Sequence, residues 1–411
     1  MFTFAHIADC HIGGWRDPKL RDFSYRAFSK AVDTCIEKQV AFILIAGDLF
    51  HTAIPGIDNI KMVVRKLKLL QQNEIQVYVI AGSHDYSPSG RTILDVFEEA
   101  GLLINVFRGE AVDGKLNLSF TIDKKTGTRI TGILGKAGGL DISYYHDLDR
   151  VALEKEKGFK IFMLHCALTE LKPSFLKDVA SMPISFLPKG FDYYAAGHVH
   201  VVNEHREQEY PLLVYPGPLF PNSFSELEKL GRGGFYLVHV DDEKKITPEY
   251  IHLVLRPVQS MKILCDGLSP DQVTDKLLKI VPEKNAILLL RLKGILASGS
   301  PTDIAFGKVY EHLYKEYAYM VLRNTYKLSS KEFEHLHLPS ASKEDIEEKL
   351  IHEQSGKFPF RHYNHDEKAL IKSLFNLLSQ EKLEGERVVD FEARLKKDTE
   401  NIFLESVHNK E

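Results

Sequence analysis

The stretch Ile80-Ala81-Gly82-Ser83-His84-Asp85 decides how this chain is read. It ends an apolar run (residues 77–81) at a glycine, then presents a hydroxyl, an imidazole and a carboxylate in a row. One such strand end is ordinary, but four more occur here. Phe2–Ile7 leads into Asp9-Cys10-His11, and Phe42–Ala46 into Gly47-Asp48. Residues 160–164 lead into His165, and residues 192–196 into Gly197-His198-Val199-His200. Helical periods separate the first three. Phe23, Ala27, Ala31 and Cys35 recur at four-residue steps, and Met62, Val63, Leu67 and Leu70 share one face of a helix over residues 57–72. All-apolar strands alternating with amphipathic helices predict parallel strands covered on both faces.

Beyond residue 103 the pattern changes. Residues 116–122 and 129–134 read as an antiparallel hairpin, and residues 212–215, 234–240 and 247–255 as further strands of a second, more antiparallel sheet. The expected fold of residues 1–255 is an α/β, two-sheet αββα sandwich. A break at Arg256-Pro257 then restarts a strand–helix–strand–helix–strand pattern, predicting a small α/β capping domain over residues 256–325. Residues 326–340 read as a polar linker broken by Pro339. Residues 341–411 read as a helical C-terminal tail. It opens on a capping box at Ser342 and Asp345 and carries apolar stripes at Leu370, Leu374, Leu377 and Leu378 and at Phe391, Leu395, Ile402 and Phe403.

The chain of 411 residues has a net charge of −4, and all of it comes from residues 341–411, with 12 Lys+Arg against 16 Asp+Glu. Any affinity for nucleic acid must therefore arise from local basic groups or bound cations, not bulk charge. The four cysteines lack paired spacing and are expected to be reduced thiols. No apolar stretch is long enough to span a bilayer, and no cleavable leader is recognisable, so a cytoplasmic location is expected.

In an open α/β sheet the ligand crevice lies outside the carboxyl ends of the strands. The five strand ends would bring Asp9, His11, Asp48, Ser83, His84, Asp85, His165, His198 and His200 to one rim. Two carboxylates, four imidazoles and Ser83 mix hard and borderline donors, which suits Mn, Fe or Zn better than Mg or Ca. Seven donors exceed what one ion takes, so two divalent ions bridged by one carboxylate are expected. Asp48, alone in its motif on a central strand, is the expected bridge. Such a pair clamps a phosphoryl group and acidifies a bound water.

In order, these residues form the motifs Asp-x-His, Gly-Asp, Gly-Ser-His-Asp, a later His and Gly-His-x-His. The set resembles the calcineurin-like metallophosphoesterase superfamily. Residues 47–55 and Tyr215-Pro216-Gly217-Pro218 are similar to its SbcD-type DNA-repair nuclease branch, and the Ser83 variant to bacterial YhaO-like exonuclease proteins. The resemblance implies one ion on Asp9, His11, Asp48 and His200, and a second on Asp48, Ser83, His165 and His198. It also implies that His84 sits at the scissile phosphate, with Asp85 orienting its ring. Ser83 departs from the usual Asn, which implies a weaker second site.

Other residues are weighed beside these. Arg16, His51 and Tyr215 are candidate substrate contacts, although Arg16 also suits a solvated face and His51 an outer position. Cys10 and Cys166, each beside a proposed ligand, are expected to point into the core. The resemblance implies a metal-dependent DNA phosphodiesterase, an exonuclease with single-strand endonuclease activity, working with an SMC-like coiled-coil ATPase of the SbcC type docked on the tail. A homodimer is a further implication. The competing readings are a small-molecule phosphoesterase and a DNA-tethering subunit with weak catalysis.

Overall fold

The computed structural model describes residues 1–87, 90–177, 179–331, 367–380 and 388–408. It comprises two compact units, Met1–Ser330 and Lys331–Glu411. The first is built on two six-stranded sheets. In spatial order, the strands of one are Ile246–Leu253, Gly233–Val240, Phe2–Ile7, Phe42–Ala46, Gln76–Ile80 and Ile104–Asn105. From Phe2–Ile7 onward the pairing is parallel, and Gly233–Val240 joins antiparallel on the other side. The second sheet runs Val202–His205, Leu213–Pro216, Tyr193–Gly197, Lys160–His165, Arg129–Ile133 and Thr121–Ile122, with its four central strands parallel and both edges antiparallel. The expectation of a more antiparallel second sheet holds only at its edges. Residues 234–240 and 247–255, expected there, instead form the antiparallel edge of the first sheet, where Gly233–Val240 pairs with Phe2–Ile7.

Strand alternation partitions the core. Phe4, Phe42, Leu44, Ala46 and Ile80 face Ile161, Met163, Tyr193 and Val214 across the gap between the sheets. Ile43, Ile45, Val77 and Val79 point outward onto helices Phe23–Glu37 and Ile57–Gln72. The outer face of the second sheet is capped by short elements around Tyr145, Leu153 and Leu187. Cys10 and Cys166 are buried in these outer layers, packed in the core as expected.

A third, fully parallel sheet contains Val258–Leu264, Ile287–Leu296 and Met320–Ser330. Its central strand again shows a period of two. Leu288, Leu290 and Leu292 face helices Pro270–Leu278 and Phe306–Lys315, whereas Ile287 and Leu289 join the core of the first sheet. The last strand reaches Ser330, so residues 326–330, read from sequence as linker, are strand. In the second unit, helices Glu367–Leu378 and Val388–His408 pack on each other, with Leu370 and Leu377 buried. The Ser342/Asp345 capping box and most of the expected linker lie outside the described residues. Among the described residues no helix is long and apolar enough to cross a membrane.

Candidate metal centre

Both large sheets present their strand ends to one rim. Gly197 pairs with His165 within the second sheet, and Ala46 with Ile80 within the first. The sheets meet where His165 Nδ1 donates to the Ala46 carbonyl at 2.8 Å. Glycine is required at this seam. A Cβ on Gly47 would overlap the His165 ring, and one on Gly82 would overlap the Asp48 carboxylate.

Five of the side chains sit on strained backbone. Asp9, His11, Asp48, His198 and His200 have φ of +50°, +43°, +53°, +99° and +48°, in a region where each non-glycine residue costs about 1–3 kcal/mol. The regular strand ends at Ile7, before Asp9, so the pleat of an extended chain does not put Asp9 and His11 on one side. Left-handed turns do so. His11 N–H donates to the Asp48 carbonyl at 2.9 Å, which ties the first two strand ends together.

The donors converge. Nε2 of His11 lies 2.9 Å from Nε2 of His200 and 3.5 Å from Oδ2 of Asp48. The same Asp48 oxygen lies 3.2 Å from Nε2 of His165, and Asp9 Oδ1 is 3.7 Å from Nε2 of His200. The backbone N–H of His198 donates to both Asp9 oxygens at 3.0 and 3.1 Å, and its ring centroid is 5.1 Å from that of His165. Ser83 Oγ reaches Asp48 Oδ2 at 3.4 Å. Among the described residues three sets, Asp9–His11–His200, Asp9–Asp48–His165 and His11–His51–His84, each bring their ligand atoms within 4.8 Å of one another.

The electrostatics follow from this crowding. Burial would raise the Asp48 carboxyl, but the His165 and His11 imidazoles outweigh it and hold it far below the usual range. Burial raises Asp9 despite the nearby imidazoles. Burial would lower His200, but Asp9 and Glu226 lift it to about 9. His198 has no comparable partner, and burial lowers it to about 3.

The arrangement fits bound cations. With its Nδ1–H committed to the Ala46 carbonyl, His165 aims a buried Nε2 at Asp48 Oδ2, 3.2 Å away and without hydrogen-bond geometry. His11 and His200 likewise direct ring nitrogens at each other. Burial would lower His165, but Asp48 and Asp9 lift it to about 10, so like His200 it carries a proton among crowded donors that a bound cation would displace.

Around this core the structure sorts the remaining candidates. His84 is exposed, and its Nδ1–H donates to the His51 carbonyl at 2.8 Å. Asp85 does not orient that ring. Adjacent residues diverge, and the buried Asp85 carboxylate instead accepts the backbone N–H groups of Leu49, Phe50 and Gly82 at 3.1, 3.0 and 3.0 Å. It clamps two strand-end loops together. His51 joins the rim, its Nδ1 3.4 Å from Nδ1 of His11 and its ring stacked on His84 at 4.9 Å. Arg16 is exposed, and its charge helps to lower the His51 pKa, although burial is the main cause. Tyr215 is not a surface contact. It is 2% exposed, with its hydroxyl donating to the Cys166 carbonyl at 2.9 Å within the outer core of the second sheet.

One functional residue had no sequence signal. Glu226, on helix Phe224–Leu230, places Oε1 3.2 Å from Nδ1 of His200. A lone glutamate 26 residues after a histidine carries no motif.

The chain is similar in sequence to known proteins. The chain is 27% identical to the DNA double-strand break repair protein Mre11 of Archaeoglobus fulgidus over 308 residues, 71% of this chain and 68% of the relative. It is 30% identical to the protein of the same name from Thermoplasma acidophilum over 240 residues, 56% of this chain and 60% of the relative. It is 27% identical to the uncharacterized metallophosphoesterase YhaO of Bacillus subtilis over 253 residues, 58% of this chain and 57% of the relative. For the last two the match covers less than two thirds of the relative's own length. The calcineurin-like phosphoesterase family model matches residues 2–202, the span holding Asp9 through His200. Residues 2–202 of this chain are a calcineurin-like phosphoesterase domain.

Proposed function

We propose that this protein is a metal-dependent phosphodiesterase acting on DNA, an exonuclease with single-strand endonuclease activity that serves DNA repair. The observation that carries the reading is the place of Asp48 Oδ2, 3.5 Å from His11 Nε2 and 3.2 Å from His165 Nε2. One carboxylate oxygen thus stands between two donor sets, as a bridge must. Asp9, His11, Asp48 and His200 would hold one divalent ion, and Asp48, Ser83, His165 and His198 the other. Manganese is the expected ion, with iron or zinc as alternatives of similar ligand preference. When bound, such a pair supplies Lewis-acid polarisation and a hydroxide nucleophile.

The protein's own groups do the rest. The buried Asp85 clamp and the glycine seam hold the ligand loops before substrate arrives, so little reorganisation is needed on binding. His84 Nε2 would meet the phosphate and assist the departing oxygen. The ring stays in place because its Nδ1–H is committed to the His51 carbonyl. Arg16 and His51 line the approach.

The relatives' printed role in double-strand break repair supports DNA as the substrate. By the same likeness, residues 256–325 would form a capping domain beside the site, selecting a strand over a small ester. The C-terminal segment, residues 341–411, would dock an SMC-like coiled-coil ATPase. A homodimer and a cytoplasmic location complete the reading.

The test is to load the purified protein with manganese and measure nucleotide release from end-labelled duplex and single-stranded DNA. Release abolished by His84→Ala supports the reading. Absence of release together with brisk hydrolysis of a cyclic nucleotide or monoester overturns it in favour of a small-molecule phosphoesterase.

A further inference from the structure

A cleft of about 240 Å³ opens directly beside His165 and His198. Its far wall contains Lys136, Asp141 and Ser181. Lys136 is held against the centre by its neighbour. A Cβ on Gly135 would come within 2.6 Å of the His165 ring and carbonyl, so the chain must cross His165 closely here. Gly135 N–H also donates to the Ala81 carbonyl at 2.9 Å, tying this segment to the loop of Ser83 and His84.

The Lys136 ammonium is positioned without being neutralised. Its Nζ donates to the Tyr144 hydroxyl at 2.6 Å and lies 4.5 Å from the Tyr144 ring centroid and 5.0 Å from that of Tyr86. Among the described residues it forms no ion pair with a carboxylate. Two aromatic faces and a phenol stabilise a cation and fix its place, yet leave its charge available to an anion. Tyr86 follows Asp85 directly, so the ammonium rests partly on the catalytic loop. Asp141 is 3% exposed, its Oδ1 accepts the Lys136 backbone N–H at 3.4 Å, and among the described residues its Oδ2 has no hydrogen-bond donor. A cleft with an unneutralised cation and an unfilled acceptor, adjoining a phosphodiester site, has the chemistry of a nucleotide subsite.

We infer that this cleft receives the nucleotide flanking the scissile bond, with Lys136 binding its phosphate and Tyr86 and Tyr144 positioning the ammonium. The inference rests on the phosphodiesterase reading above and deepens it. Lys136 would select polynucleotides over esters with a single phosphate. It lies outside both proposed ion-binding sets, so its loss should leave the chemical step intact. Asp141 would accept a hydrogen bond from a base amine or sugar hydroxyl.

The experiment compares the wild-type protein with Lys136→Gln, Lys136→Arg and Tyr144→Phe. Two substrates are used, a fluorescein-labelled single-stranded oligodeoxynucleotide and bis(p-nitrophenyl) phosphate, which has no second phosphate. Oligonucleotide binding is followed by anisotropy with calcium replacing the catalytic ion, across a salt series. Lys136→Gln should bind about tenfold more weakly, with the log–log salt slope reduced by about one. Lys136→Arg should restore most of both, Tyr144→Phe should fall between, and hydrolysis of the single-phosphate ester should not change. Unchanged binding and slope in Lys136→Gln overturns the inference, as does an equal loss on both substrates. If the wild type binds DNA through Lys136 but releases no nucleotides, the exonuclease reading falls and the subsite stands. If it digests DNA and Lys136→Gln does so with the same KM, the subsite falls and the exonuclease reading stands.

Discussion

Glu226 Oε1 lies 3.2 Å from Nδ1 of His200, so a helix that follows the second sheet reaches back to orient one of the proposed ligands. The contact places a proton on Nδ1 and turns Nε2 toward the centre, 2.9 Å from Nε2 of His11. A carboxylate behind a ligating imidazole fixes its tautomer and raises its basicity, and its loss typically costs 10–100-fold in metal affinity or activity. Glu226→Gln should therefore weaken one class of manganese site by about tenfold or more. Isothermal titration of the metal-free protein measures this directly, and an unchanged binding curve would refute the assignment.

Asp85 and His84 should separate cleanly under mutation. Asp85→Ala strands three buried backbone donors, those of Leu49, Phe50 and Gly82, with a cost of about 1–3 kcal/mol for each group left unsatisfied. A loss of about 3 kcal/mol or more in urea unfolding is expected. His84 is exposed, so His84→Ala should change stability by less than about 0.5 kcal/mol while greatly reducing nuclease rate. Equal stability of the two variants would contradict the clamp.

Ser83 reaches Asp48 Oδ2 only at 3.4 Å, and a protonated hydroxyl is a weaker ligand than an amide oxygen. Ser83→Asn should tighten the weaker of two manganese sites and raise activity at limiting metal. Titration followed by electron paramagnetic resonance counts the ions bound at each concentration. Two sites of equal affinity in the wild-type protein, unaffected by the substitution, would remove the reason to single out this position.

His6 gives the fold a pH dependence away from the metal centre. It is fully buried between the sheets with Nδ1 2.9 Å from the Tyr193 hydroxyl, and burial lowers its pKa from 6.5 to about 3. Below pH 6.5 the unfolded chain takes up a proton that the folded chain refuses until about pH 3. The stability contributed by a neutral His6 is therefore complete above pH 6.5 and declines as pH falls, by up to about 1.4 kcal/mol per unit. At about pH 5 the wild-type protein should have lost about 2 kcal/mol more than His6→Phe, relative to each protein at neutral pH. Parallel urea titrations of the two proteins check this, and identical pH profiles would show that His6 is not the cause.

The third sheet shows why its elements but not its surroundings could be read. The strand–helix–strand–helix–strand order of residues 260–325 predicted a central strand between helices, which the structure places at Ile287–Leu296. It did not reveal that Ile287 and Leu289 would enter the core of the first sheet while Leu288, Leu290 and Leu292 built a separate one. Periodicity reports which side chains leave water, not what they pack against.

The candidate metal centre divides along the same line. Sequence alone determined that five apolar strands end in polar residues, and which residues those are. Strand and ligand chemistry are local, and Asp9, His11, Asp48, His84, His165, His198 and His200 all reach the one rim. Only tertiary structure decided how they reach it. The pairs at residues 9 and 11 and at 198 and 200 converge through left-handed backbone that no pattern of residue types announces, held by hydrogen bonds between loops far apart in sequence. Asp85 looked like a partner for His84 because it is its neighbour, yet its carboxylate is spent on Leu49, Phe50 and Gly82. Tyr215 looked available and is buried, whereas Glu226 and Lys136 looked ordinary and stand beside the site. A residue's type limits the chemistry it can perform, but its partners are set by packing, and packing is a property of the whole fold.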